Sequence, residues 1–119
     1  MCTSQDPRNK RNRTGVWLHD DTRSVVIDVS TDFRAGALRH GMRHLDAALL
    51  THAHADHISG LDDLRIFSQV SGKAVPLYSS VGTLDDIRKR FAYAFAPPKA
   101  YGGGAPQYDL REAAEPFDV

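Results

Sequence analysis

The chain has 119 residues, 41% of them hydrophobic, and its 15 Lys and Arg balance its 15 Asp and Glu to a formal net charge of zero. That length and composition fit one globular domain, residues 1–119, and a zero net charge supplies no overall field to gather nucleic acid or an anionic membrane surface. No apolar run approaches the roughly 20 residues that span a bilayer, the opening residues carry no secretory signal, and one cysteine excludes an internal disulfide framework, so a reducing, cytoplasmic setting is expected.

Residues 5–13 are polar and basic, with Arg8, Lys10, Arg11 and Arg13 around Asn9 and Asn12. A phosphate-contacting arm is one reading; a solvated loop is the other, and short charge runs are usually solvated. Val16-Trp17-Leu18-His19 reads as a short strand, Asp20-Asp21 as a turn, and the β-branched run Ser24–Val29 as the second arm of a hairpin. Ser30 or Thr31 caps the next helix, with Asp32 in its first turn, Phe33, Ala37 and Leu38 on an apolar face and Gly41 at its end. Residues 45–50 form a buried strand. A helix is predicted over residues 55–70, with Gly72 closing it. Val75–Tyr78 is a short strand whose proline suggests an edge or a strand start. Ser80 or Thr83 then caps a helix carrying Leu84, Ile87, Phe91 and Phe95, stopped by Pro97-Pro98. Phe91, Tyr93 and Phe95, ahead of the prolines and a glycine run, fit either helix core or an exposed interface lobe. Strands alternating with helices argue for an α/β layer.

The segment with most chemistry is Thr51-His52-Ala53-His54-Ala55-Asp56-His57. Three imidazoles and a carboxylate fall within six residues, and these are the donors that zinc, manganese or iron prefer. Residues two apart on a strand share a face, so His52 and His54 leave the strand end on one side. Asp56 and His57 come after the turn toward a helix and approach from another. One metal would take His52 and His54, a second Asp56 and His57. Asp28 ends a strand that should neighbour the metal strand. It is a candidate to accept a hydrogen bond from a ligand histidine, or merely to cap a turn. Asp32, Asp62 and Asp63 read as helix-start or solvated carboxylates, and His19, His40 and His44 lack ligand spacing.

The H-x-H-x-D-H signature followed by Gly60-Leu61 resembles the metallo-β-lactamase fold hydrolases. Ile27–Arg34, Ala37-Leu38-Arg39 and Leu61–Arg65 further resemble the phosphoribosyl cyclic-phosphate phosphodiesterase subgroup of the carbon–phosphorus lyase pathway. The resemblance implies an αββα sandwich, with this chain as its first half. It implies two divalent ions, zinc or manganese, a small or cyclic phosphodiester substrate, and attack by a metal-bound hydroxide. Asp56 would be both a ligand and the catalytic group that orients the water. Family members are about twice as long, and take a further histidine, a bridging aspartate and a final histidine from their second half. Here no histidine follows His57, and Cys2 alone stands where relatives have a cysteine cluster.

The chain is therefore expected to be a fragment truncated at both ends, with partial metal sites and little turnover of its own. A bare sheet face should lead it to a homodimer or to its missing half. Two other functions stay open: an RNA-processing nuclease resembling the enzymes that trim transfer-RNA 3′ ends, which the basic stretch favours and the zero net charge does not, and an inactive metal-binding fragment.

Overall fold

The computed structural model describes residues 3–96 and 104–114. The expectations on Cys2, Pro97-Pro98, the glycines at 102 and 103 and the last residues lie outside the described residues. A single 3-10 turn at Pro7–Asn9 opens the described chain. β1 (Val16–His19) and β2 (Ser24–Ile27) pair as the antiparallel hairpin, Val16 opposite Ile27 and His19 opposite Ser24. The Asp20 carboxylate builds the turn by accepting from the backbone N–H groups of Thr22 at 2.7 Å and Arg23 at 2.8 Å.

From there the chain alternates. Helix α1 (Phe33–His40) leads to β3 (Ala47–Leu49), which runs parallel to β2 with Val26 beside Ala48. The one-turn helix α2 (Ala55–Ile58), a 3-10 turn (Leu61–Leu64) and α3 (Arg65–Ser71) lead to β4 (Val75–Ser79). Helices α4 (Val81–Arg90) and α5 (Ala92–Phe95) precede β5 (Tyr108–Glu112). Among the described residues the sheet has five strands in the order β1-β2-β3-β4-β5, all parallel after the opening hairpin.

Register assigns the two faces. Val26, Ala48 and Leu77 stand in line across three strands. They are buried in one cluster with Leu50 and Val75 and with Ile58, Leu61, Leu64, Leu84 and Ile87 from the helical segments. Truncating one such Leu or Ile to Ala should cost about 2–5 kcal/mol. On the opposite face Val16, Ile27, Leu49 and Tyr78 stand in line. There Val16 is 47% and Leu18 55% exposed, and the Arg111 guanidinium lies over the Tyr78 ring, 5.5 Å from its centroid.

Several local expectations need correction or sharpening. The N-cap position of α1 is Asp32; the Ser30 hydroxyl accepts from its backbone N–H at 3.3 Å at the helix entry, and the Asp32 carboxylate accepts from the Arg13 backbone N–H at 2.7 Å. Leu38 of the expected apolar face is largely exposed. The helix predicted over 55–70 is broken at Ser59-Gly60. Gly60 donates to the Val29 carbonyl at 2.9 Å, and a Cβ there would sit 2.0 Å from the Ser30 carbonyl oxygen. Pro76 is the second residue of β4, so the strand-start reading holds, and β4 is an interior strand, not an edge. The N–H of Val75 bonds to Gln107 beside β5, so the missing N–H of Pro76 faces β3, whose ladder begins one residue later at Leu77. The helix expected from Ser80 through Phe95 breaks at Phe91 (φ −109°, ψ 35°). β5 was not anticipated at all. Gly41 (φ 69°) and Gly72 (φ 68°) do end their helices in the left-handed conformation.

Candidate metal centre

The parallel strands β2, β3 and β4 end side by side, and open α/β sheets place ligand sites beyond such carboxyl ends. Asp28 leaves β2 there, and Thr51 and His52 leave β3. Asp28 takes the left-handed conformation (φ 60°), which costs a non-glycine residue on the order of 1 kcal/mol but is tolerated by aspartate. Its N–H donates to the Leu49 carbonyl at 2.9 Å, and the side chain turns inward, leaving the residue 4% exposed.

A buried carboxylate must be hydrogen-bonded, and this one is held from two directions. Asp28 Oδ1 accepts from the Thr51 backbone N–H at 2.8 Å, and the Thr51 hydroxyl lies 3.0 and 2.9 Å from its two oxygens. Asp28 Oδ2 lies 2.7 Å from His57 Nδ1. The α2 turn is hooked into place by Val29, whose N–H donates to the His57 carbonyl at 2.7 Å. Asp28 thereby holds His57 above the ordinary histidine range through that hydrogen bond; burial opposes, and the Asp28 and Asp56 charges add to the rise.

Thr51 extends the network. Its hydroxyl also lies 2.9 Å from His52 Nδ1. A hydroxyl has one proton; donated to Asp28, it leaves Thr51 Oγ1 as the acceptor for His52 Nδ1–H. Both His52 and His57 are then oriented through Nδ1, with Nε2 facing away from the protein's anchors. Their rings are 4.1 Å apart, and the ring of His54 meets that of His52 edge-on at 4.5 Å. Asp56 Oδ2 is 3.5 Å from His57 Nε2, on a side chain that is 58% exposed.

The structure thus brings His52, His54 and His57 together, with Asp56 at the edge and Asp28 beneath. The donor types suit a divalent ion, and the hydrogen bond from a ligand imidazole to a buried carboxylate is the usual support for one. Among the described residues no group of three or more His, Cys, Asp or Glu side chains is set to hold a metal ion. The donors fit in chemistry and stand as an open set, not as a closed cage. Thr51 is a site residue that sequence reasoning passed over; its place immediately ahead of the first histidine was the available signal.

The remaining candidates lie elsewhere. Asp62 accepts from the Tyr93 hydroxyl at 2.6 Å. His19 stacks on Trp17 at 3.8 Å, while His40 and His44 are exposed. In the basic stretch, Arg8 pairs with Asp6 at 2.7 Å on the surface. No helix among the described residues is long and apolar enough to cross a membrane.

Residues 23–119 match the family described as beta-lactamase superfamily domain. The chain belongs to that superfamily. Within it, the chain is similar to a "Ribonuclease Z" of Bradyrhizobium diazoefficiens, 32% identical over 92 residues that cover 72% of this chain and 30% of that one. It is 45% identical over 96 residues to a Porphyromonas gingivalis protein named "Octanoyltransferase", covering 80% of this chain but 19% of that one. Among solved structures, a diphosphatase from the PhnP family superposes with a TM-score of 0.83 at 35% identity, covering 99% of this chain and 44% of that one. Zn(2+)-bound PqqB from Methylobacterium extorquens superposes with a TM-score of 0.65 at 21% identity, covering 87% and 37%; at that identity the likeness is one of fold. The five-stranded sheet with its helices matches the beta-lactamase superfamily fold. The chain spans less than half the length of each of these relatives.

Proposed function

We propose that this chain carries the first metal-binding half of a metal-dependent hydrolase that cleaves a phosphoester bond in a small or cyclic phosphodiester. The observation that carries the reading is the trio His52, His54 and His57, two of them anchored through Nδ1 on the Asp28–Thr51 network. The resemblance to a diphosphatase favours phosphorus–oxygen chemistry.

Divalent ions, zinc or manganese, would supply Lewis acidity and bring the pKa of water toward neutrality when bound. His52, His54, Asp56 and His57 would hold them. Asp56, at the exposed edge, would accept a hydrogen bond from the attacking water and aim it at phosphorus. Asp28 fixes the His57 imidazole, and Thr51 fixes that of His52, so neither ring swings when the ion arrives. These four donors give two ions incomplete shells, and turnover by this polypeptide alone is expected to be low.

The sheet face that carries exposed Val16 and Leu18 suits a protein partner, a complementing half or a second copy, because contiguous apolar surface drives association. Sedimentation over a range of concentrations tests this; a monodisperse monomer throughout would count against it. The setting proposed is the cytoplasm.

The function is tested with zinc and manganese titrations followed by assays on bis(p-nitrophenyl) phosphate, a cyclic ribose phosphate and a precursor transfer RNA. Metal binding that needs His52, His54 and His57, with turnover of the small diesters once the remaining ligands are supplied, supports the reading. The likeness to ribonuclease Z favours a second reading, transfer-RNA processing, which preferential cleavage of the precursor would select. Metal binding without turnover of any of the three would leave an inactive metal-binding fragment.

A further inference from the structure

Between the two imidazoles of His52-Ala53-His54 lies a carbonyl that the motif does not provide for. Ala53 is only 9% exposed, and a polar group removed from water without a partner costs about 1–3 kcal/mol. The partner comes from far along the chain. Arg90 Nη1, at the last residue of α4, donates to the Ala53 carbonyl at 2.6 Å across 37 positions of sequence.

That bond sits where the orientation of the histidines is decided. His54 is extended (φ −69°, ψ 150°), and His52 and His54 face one side only while the chain between them stays extended. A turn about the Ala53 Cα–C bond alone would swing its carbonyl and carry His54 away from His52. A guanidinium donor makes a charge-assisted bond, about twice as strong as a neutral one, so it resists that rotation. α4 itself is firmly seated. Ser80 caps it by accepting from the Thr83 N–H, and Leu84 and Ile87 are buried in the core. Its other cations do something different: Arg88 pairs with Asp85 at 3.1 Å and Lys89 with Asp86 at 3.9 Å along the helix surface. Arg90 lines the same open groove as His52 and His54.

We propose that Arg90 is a positioning residue for metal capture: its guanidinium clamps the Ala53 carbonyl, so that His52 and His54 already face one side of the loop before an ion arrives. The proposal rests on the metal reading of those histidines and adds to it a residue outside the motif.

Three variants test it. Arg90→Met keeps the aliphatic stem and removes the donors, Arg90→Lys restores a cationic donor, and Lys89→Met removes a neighbouring charge from the same helix. The readouts are imidazole signals in long-range proton–nitrogen spectra of the metal-free chain, the zinc dissociation constant against a chromophoric chelator, and the melting midpoint. Arg90→Met should move the signals of His52 and His54, spare those of His19, His40 and His44, and weaken zinc binding by about tenfold or more. Arg90→Lys should recover much of both, and Lys89→Met should change neither. Unchanged His52 and His54 signals in Arg90→Met would overturn the proposal, as would a shift of all six histidines with a lowered melting midpoint. If the unaltered chain binds no zinc, the metal reading fails, while the metal-free spectra still decide whether Arg90 orders the loop.

Discussion

The floor and the rim of the histidine cluster are built differently. At the floor, Asp28 is 4% exposed and accepts from Thr51 and His57, and the α2 turn is pinned to the exit of β2 through the His57 carbonyl. At the rim, His54 is exposed and meets the edge of the His52 ring, and Asp56 reaches out on a side chain that is 58% exposed. The floor is therefore ordered by the protein, at a cost in backbone strain that buried hydrogen bonds offset. On the metal reading, the rim would gain most of its remaining order from a bound ion. Substitutions at the floor should act on folding, and those at the rim on metal binding.

The largest effect is expected at Gly60→Ala, which removes the close approach that fastens α2 to the end of β2. With a Cβ 2.0 Å from the Ser30 carbonyl, the backbone must move, at a cost of about 3 kcal/mol or more. Denaturant unfolding measures it, and an unchanged midpoint would mean the floor is far softer than described. Next comes Asp28→Ala. It leaves two donors of Thr51 and one of His57 without their acceptor and should cost about 2–3 kcal/mol. Asp28→Asn keeps an acceptor and tolerates the left-handed backbone, so it should cost less in the same melts.

The pH dependence separates floor from rim more finely. His57 is raised in the folded chain, first by its hydrogen bond to Asp28. A histidine raised on folding adds stability that is fully present below its unfolded pKa, about 6.5, and is lost as pH rises through the folded value. The metal-free chain should therefore lose stability as pH climbs past the ordinary histidine range, and Asp28→Asn should flatten that slope. Melts from pH 5 to pH 9 with an equal slope in both proteins would remove His57 from the floor. The smallest effect on folding is expected at His54→Ala, within about 0.5 kcal/mol as for other exposed positions. The same variant should lose zinc affinity, and a melting change larger than that of Asp28→Ala would reverse the comparison.

The sequence disclosed the rim more readily than the floor. Ligand-type residues at H-x-H-x-D-H spacing are visible without coordinates, as are the β-branched run of β2, the Ser80 cap and the two glycines that end helices. The floor depends on partners far apart in the chain. Nothing near Gly60 announces that the Ser30 carbonyl presses against it, so periodicity alone ran the helix straight through. Thr51 and Arg90 are ordinary residues until the fold brings Asp28 to one and the Ala53 carbonyl to the other. β5 was missed because Tyr108-Asp109-Leu110-Arg111-Glu112 is mostly charged; it becomes a strand by pairing with β4, where tertiary context outweighs intrinsic preference.

The strands stand in the sheet in the order in which they occur in the chain. Every pairing joins consecutive strands, the parallel ones through helical crossovers, so no strand waits for any but its predecessor before it can dock. A chain growing from the ribosome can lay down the sheet by accretion, one unit at its edge at a time. On that ordering Asp28, Thr51 and His57 can meet before α4 docks, and the clamp from Arg90 then closes over a floor already formed.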